Sequence, residues 1–237
     1  MTKTEFINKV VALFELENCN KDKISKQLDV YKDFLQQQNT VMNLTRLDGD
    51  DVIWSKYFWQ SMMVYRMVDF STVKTVLDVG SGSGIPGIVI KLFFPNIKLT
   101  IVEASHKKCE FMKQLADKLH LVNVEVICQR IEQTSTSRQF DLVTAKAVAP
   151  VETILELTVP FGKSDGLVVI PKGKNFLSEV KDLNKELRQL SAQLLLVDHM
   201  VDDGLDFYTI IAKKTGKTNP KYPRDYKKII KGFDYGK

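Results

Sequence analysis

The residues able to do chemistry recur where apolar runs end. Asp78 lies near the end of Thr75-Val76-Leu77-Asp78-Val79, and Gly80, Gly82, Gly84 and Gly87 follow it. Glu103 ends the run Lys98-Leu99-Thr100-Ile101-Val102-Glu103. Ile131-Glu132 follows a third apolar run, Asp141 opens a fourth, and Lys146 comes just after that one. A loop so rich in glycine lets a ligand approach its backbone. Gly82, Gly84 and Gly87 match G-x-G-x-x-G, the dinucleotide pattern, in which the glycines admit a pyrophosphate to a helix N-terminus. A nicotinamide-dependent oxidoreductase is therefore one reading, although this pattern alone is a weak signal.

The acids argue against it. A carboxylate at Asp78 would repel a pyrophosphate held at the same loop. S-adenosyl-L-methionine carries no phosphate, and its ammonium and sulfonium groups are cationic, so the same carboxylate helps to hold it. Glu103 can accept both ribose hydroxyls of either cofactor and does not discriminate. Ile131, Glu132 and Asp141 together offer an apolar wall and an acceptor for an adenine and its amino group. A bland alternative is that Asp78 caps the following helix and Glu132 is a solvated loop acid. Acids at several successive strand tips favour the methionine-derived cofactor.

The elements that must position these residues are legible in outline. From Lys74 onward, β-branched runs alternate with helical patterns: TVLDV, a helix over 86–94, KLTIVE, a helix over 106–119, VEVI, FDLVTA, a helix after Pro150, GLVVIP, a helix over 175–190, LLLVD and FYTIIAKK. That alternation predicts an α/β fold, with a mostly parallel sheet flanked by helices. The two late strands lack a long helix between them and predict an antiparallel hairpin at one edge. Residues 1–70 read as an N-terminal helical annex, with Thr2 and Glu5 as a capping box, a connector over 42–47 and a third helix over 51–69. Residues 71–213 read as the core and 214–237 as a basic tail.

Composition narrows the class. At 237 residues with 44% hydrophobic and 27% charged, the chain is an ordinary globular one. It shows neither a membrane-spanning run nor a signal-peptide pattern, and a cytoplasmic location is expected. Cys19, Cys109 and Cys128 are an odd number and widely spaced, and His106, His120 and His199 lack ligand spacing, so neither a disulfide framework nor a metal site is expected. The net charge of +5 is concentrated. Residues 213–237 hold nine Lys/Arg against two Asp, leaving −2 for the remainder. Lys213, Lys214, Lys217, Lys221, Arg224, Lys227 and Lys228, interleaved with Tyr222 and Tyr226, are candidate phosphate contacts and stacking faces for RNA. A merely solubilising tail is the alternative.

On QNTVMNLTRL, LDVGSGSGIPGIVI, LTIVEASHKKCEFMKQLA, FDLVTAKAVAP and TNPKYPR, the chain resembles the class I methyltransferases, specifically the RsmG-type (GidB) bacterial 16S ribosomal RNA guanine-N7 methyltransferases. The resemblance covers nearly the whole chain. It implies a Rossmann-like methyltransferase sheet, S-adenosyl-L-methionine as methyl donor, and N7 of a guanine in the decoding-region loop of 16S rRNA or the small ribosomal subunit as acceptor. It places cofactor contacts on Gly80, Ile85, Ile131, Glu132 and Lys146, with Glu103 as ribose ligand beside Asp78, Gly82 and Gly84. The sequence departs from the family pattern at Ile85 (usually aromatic), Ile131 (usually small), Glu103 (usually Asp) and Lys146 (usually Arg). It departs again at Tyr57-Phe58-Trp59-Gln60-Ser61, where the family reads H-x-x-D-S. Guanine N7 has an in-plane lone pair, so no general base is needed and none is evident. FDLVTA lacks the Asn/Asp-Pro-Pro-aromatic run of exocyclic amino methyltransferases, and no Pro-Cys nucleophile is present. Lys146, at a strand tip beside the methyl donor, is the candidate catalytic residue, contacting guanine O6, a phosphate or the cofactor's carboxylate. The chain is expected to act as a monomer. A non-catalytic rRNA-binding or ribosome-assembly factor with a degenerate cofactor site is the remaining alternative.

Overall fold

Short β-branched runs bury both faces only when helices cover the sheet on each side. That is the arrangement in the computed structural model, which describes residues 1–42, 44–45, 49, 52–179 and 182–231. Seven strands form one sheet: β1 (Thr75–Val79), β2 (Lys98–Glu103), β3 (Val124–Cys128), β4 (Phe140–Thr144), β5 (Gly162–Lys172), β6 (Ala192–Asp202) and β7 (Leu205–Lys214). Their order is β3-β2-β1-β4-β5-β7-β6. The first five run parallel, while β7 pairs antiparallel with both β5 and β6. The edge hairpin expected from the sequence is thus present.

The order reverses at β1. Asp78 stands in register with Ile101 of β2 and Thr144 of β4, so the loops after these strands open into one crevice. Ligands bind at such a switch point, beyond the carboxyl ends of the strands. On one sheet face, α1 (Lys3–Leu13) and α2 (Lys21–Met42) pack with α4 (Gly87–Phe93) and α5 (His106–Lys118), burying Phe6, Tyr31, Phe58 and Phe111. Thr2 and Glu5 form the expected capping box on α1.

Between these lies α3, which changes winding along its length. It is a π-helix over Ile53–Trp59, an α-helix over Gln60–Met62 and a 3-10 turn over Met63–Tyr65. It is shorter than the helix expected over 51–69, whose first residue lies outside the described residues. Of the expected connector, Met42 closes α2 and residues 43, 46 and 47 also lie outside them. The indole of Trp59 and the amide of Gln60 donate to Asp202, and Arg66 donates twice to Asp198, tying this segment to β6.

The opposite face carries α6 (Val151–Thr158), α7 (Phe176–Glu179) and α8 (Leu183–Gln189). Sequence periodicity had merged the last two into one helix. The Asp182 carboxylate instead accepts from the Lys185 amide and caps a new start. The C-terminal segment seals this face. Tyr222, and Ile229 on α9 (Tyr226–Ile229), join its core.

Candidate active site at the strand tips

β1 delivers Asp78 into a fully buried position below the glycine loop. Its Oδ2 accepts from the Ser81 hydroxyl (2.6 Å) and from the Gly87 amide at the start of α4 (2.9 Å). The capping role entertained from the sequence is therefore real. Oδ1, however, is buried with no hydrogen-bond partner among the described residues. Burial pushes the carboxyl up from 3.8 to about 6, against the lowering effect of Ser81 and Gly87; Glu103 adds to the rise and Lys146 opposes it. An unpartnered buried acceptor is costly unless a ligand completes it.

The glycines divide by role. A side chain at Gly84 would sit 2.7 Å from the Tyr31 hydroxyl, and one at Gly87 2.7 Å from Asp78 Oδ2, so these two admit protein. Gly80 and Gly82 have φ of +70° and +64°, which strains other residues. Gly80 lies under Val148, whose Cγ2 a Cβ would approach to 2.7 Å, whereas a Cβ at Gly82 would meet only the Gly80 carbonyl, at 4.0 Å. The ligand-facing opening is at Gly82. Two phenols to which the sequence reading gave no role in the site hold the loop from beneath, Tyr31 (2.7 Å) and Tyr57 (3.1 Å) both donating to the Ser83 carbonyl. Their signal in the sequence was faint, because a buried tyrosine on an amphipathic helix looks like any core aromatic.

The loop's own amides decide between the two cofactors. Gly80 donates to Val102, Gly82 to Glu103 Oε2, Gly84 and Ile85 to the Ser81 carbonyl, and Gly87 to Asp78. These are the donors a pyrophosphate would need, and two of them already face carboxylates. Carboxylates at these positions oppose a phosphate held at the same loop. Glu103 bridges further, its Oε1 accepting from the Ser105 amide at the head of α5 (2.9 Å), which holds the carboxylate at the tip of β2. A half-buried Ile85 packs against the core behind the loop.

Beyond β3, a 3-10 turn over Ile131–Gln133 carries the next pair. Ile131 is buried and Glu132 is nearly so, its carboxylate 3.9 Å from the Arg130 guanidinium, which in turn lies over the Tyr226 ring. Asp141 requires correction. A parallel β4 places it at the amino end of the strand, away from the crevice. There its Oδ2 accepts from the Lys74 and Thr75 amides and Oδ1 from Lys163, so it splices β1, β4 and β5 and takes no part in an adenine pocket.

Lys146 follows β4 at the other end. Tyr65 donates to Thr144 Oγ1, which donates on to the Val169 carbonyl and fixes the strand tip. Ala147 then takes φ +57°, a left-handed turn costing about 1 kcal/mol for a non-glycine residue. The Lys146 ammonium has no hydrogen-bond or ion-pair partner among the described residues. Desolvation lowers its pKa, and the Asp78 charge works against that. Lys146 also lines a cavity of about 310 Å³ with Gln60, Val64, Pro171, Lys172 and Glu179.

Three of the expected RNA contacts are corrected by their placement. Lys214 is buried, its ammonium donating to the Leu190 and Gly216 carbonyls and to Thr218. Tyr222 is buried in the core, and Arg224 forms a bidentate pair with the fully buried Glu156. These residues anchor the segment, because its apolar and charged groups complete a face the helices leave open. Lys217, Lys221, Lys227 and Lys228 are exposed, and Lys213 pairs with Asp165. Among the described residues no group of three metal-ligating side chains occurs, and no helix is long and apolar enough to cross a membrane.

Known proteins bear on this geometry. A solved structure described as StiE O-MT (residues 942–1257) superposes with a TM-score of 0.55 at 18% identity, covering 76% of this chain and 81% of that one. A 16S rRNA (adenine(1408)-N(1))-methyltransferase variant from Catenulisporales acidiphilia superposes at 0.52 and 15% identity, over 64% and 87%. Both likenesses are of fold. Sequence similarity is more specific. The Ribosomal RNA small subunit methyltransferase G of Mycoplasma capricolum is 36% identical over 88% of this chain and 90% of its own length. That of Ureaplasma parvum serovar 3 is 33% identical over 98% and 99%. The family model GidB, rRNA small subunit methyltransferase G, matches residues 24–206. With carboxylates lining a switch-point crevice and relatives matched along nearly all its length, the chain belongs to the rRNA small subunit methyltransferase G family.

Proposed function

We propose that the protein transfers a methyl group from S-adenosyl-L-methionine to N7 of a guanine in the decoding-region loop of 16S rRNA. The observation that carries this reading is the pairing of an unpartnered, buried Asp78 Oδ1 with an unpartnered Lys146 ammonium at the switch point. Opposite charges close enough to act on each other match the zwitterion of a methionine: Asp78 takes the ammonium and Lys146 the carboxylate. Glu103 takes the ribose, and Ile131 with Glu132 flanks the adenine. The bound cofactor supplies a methyl on a cationic sulfur. Of the contacts open to Lys146, guanine O6 is the least favourable, because methylation at N7 leaves the purine positively charged and an ammonium on O6 would oppose it.

The chain's own contribution is alignment. No residue needs to remove a proton from N7, so the barrier falls through proximity and in-line geometry, effects worth up to about 7–11 kcal/mol. N7 is hidden in the deep groove of A-form RNA, and the target base must be unstacked or in a loop. The experiment is transfer of radiolabel from S-adenosyl-L-methionine to unmodified small subunits and to naked 16S rRNA, followed by nucleoside analysis. Label in 7-methylguanosine is expected; label confined to another nucleoside overturns the acceptor, and cofactor-independent RNA binding without transfer favours an assembly factor.

The exposed lysines of the C-terminal segment supply phosphate contacts in this reading. Truncation at residue 214 would be a poor test, since it strips Arg224 from a buried Glu156 and unfolds what it should probe. Replacing Lys217, Lys221, Lys227 and Lys228 together by Gln is expected to weaken RNA binding and flatten its salt dependence. The slope of log affinity against log salt should fall by roughly 0.7 per lost contact. Cofactor affinity should not change. An unaltered slope removes the segment from the RNA interface.

A further inference from the structure

The cavity beside Lys146 contains a charge that the methyl donor does not require. Glu179, the last residue of α7, projects toward the tips of β4 and β5. Its Oε2 is occupied, accepting from the Val151 amide at the head of α6 (3.1 Å) and from the Lys172 ammonium (2.5 Å). Lys172 donates in addition to the Ala149 carbonyl (3.1 Å), so the carboxylate is held from two sides. Oε1 has no hydrogen-bond partner among the described residues. Asn175 brings an amide to the same wall, which Gln60, Lys174 and Phe207 also line. At about 310 Å³ the space is at the lower limit of small-molecule pockets, roughly 300–1,000 Å³, and suits a single unstacked base.

We infer that this cavity seats the target guanine and that Glu179 is its specificity-determining residue, Oε1 accepting from the purine N1–H and 2-amino group. The inference rests on the methyltransferase reading above and names the recognition within it. Three chemical points support the assignment. Guanine alone among the RNA bases presents two adjacent donors to a carboxylate on its Watson–Crick edge, while adenine presents an unprotonated N1 there and is rejected. Binding by that edge leaves N7 on the other edge of the ring, open to the donor held at Lys146 and the glycine loop. Finally, methylation at N7 makes the purine cationic, and a carboxylate on N1–H and the 2-amino group stabilises the charge as it develops. The Asn175 amide is a donor available to O6.

A structural alternative is that Glu179 only caps α6 and pairs with Lys172. Inosine distinguishes the two, since it retains N7, O6 and N1–H but lacks the 2-amino group. Small subunits reconstituted with guanine or inosine at the methylated position would be assayed with wild type, Glu179→Gln and Glu179→Ala. With wild type, inosine is expected to lower kcat/KM roughly 10–100-fold, the range of a hydrogen bond to a charged group. With either variant, guanine activity should fall by a similar factor and the guanine-to-inosine ratio should approach one, with cofactor affinity unchanged. A purely structural role would depress both substrates alike and preserve the ratio. Survival of the wild-type ratio in both variants overturns the inference, as does wild-type indifference to inosine. Failure of wild type to produce 7-methylguanosine at all instead overturns the acceptor assignment, and this inference falls with it.

Discussion

Substituting Lys146 by alanine is expected to weaken S-adenosyl-L-methionine binding by roughly 10–100-fold, and methyl transfer by at least as much. The ammonium stands just past the tip of β4, it has no protein partner among the described residues, and the Asp78 charge favours its protonated form. Loss of a charge-assisted contact to the donor's carboxylate would misplace the methyl as well as lower occupancy, and small misplacements cost much rate. Lys146→Arg should recover most of the affinity, because the charge is kept. Calorimetric titration of the cofactor against each variant, followed by single-turnover transfer, separates the two effects. Wild-type affinity in Lys146→Ala with depressed transfer would move the lysine from the donor to the RNA. Wild-type behaviour in both assays would remove it from the site.

The second large effect concerns pH. Asp78 has its folded-state pKa raised from 3.8 to about 6 by burial. Its charged form is therefore disfavoured by folding, and its contribution to stability is lost as pH rises from about 4 through 6. A cationic ligand reverses the preference, since it requires the charged form. Cofactor affinity should accordingly fall by about ten-fold from pH 7 to pH 5, because a proton competes for the unpartnered Oδ1. The groups acting on Asp78 are Ser81 and the Gly87 amide by hydrogen bond, with Glu103 and Lys146 acting through charge, while the neighbouring phenols of Tyr31 and Tyr65 stay neutral over this range. Asp78→Asn isolates its part: weaker binding at pH 7 and a flat profile down to pH 5. A wild-type profile already flat, or an Asn variant retaining the slope, would assign the pH dependence elsewhere.

The sequence by itself determined the architecture and the chemical class of the crevice. Strand runs such as TVLDV and KLTIVE coincide with β1 and β2, because a parallel strand buried on both faces must be continuously apolar and β-branched. Asp78, Glu103 and Lys146 were legible because a strand tip is the one place where such a run can end in a charge and still reach solvent or ligand. Local signals failed where direction or distant partners matter. Asp141 has the same appearance as Asp78 within an apolar run, yet it sits at the amino end of its strand; only the sheet's polarity separates splice from site. Lys214, Tyr222 and Arg224 read as a basic, aromatic tail, and only the tertiary structure shows Glu156 and the Leu190 carbonyl waiting for them. Glu179 was one acid in an expected helix. Its significance depends on Lys172 and on the Val151 amide, neither of which is adjacent in sequence. Local pattern encodes periodicity and strand ends, because those depend on neighbours along the chain. Which buried charge is satisfied by the protein and which is left for a ligand depends on contacts between distant residues, and only the fold decides it.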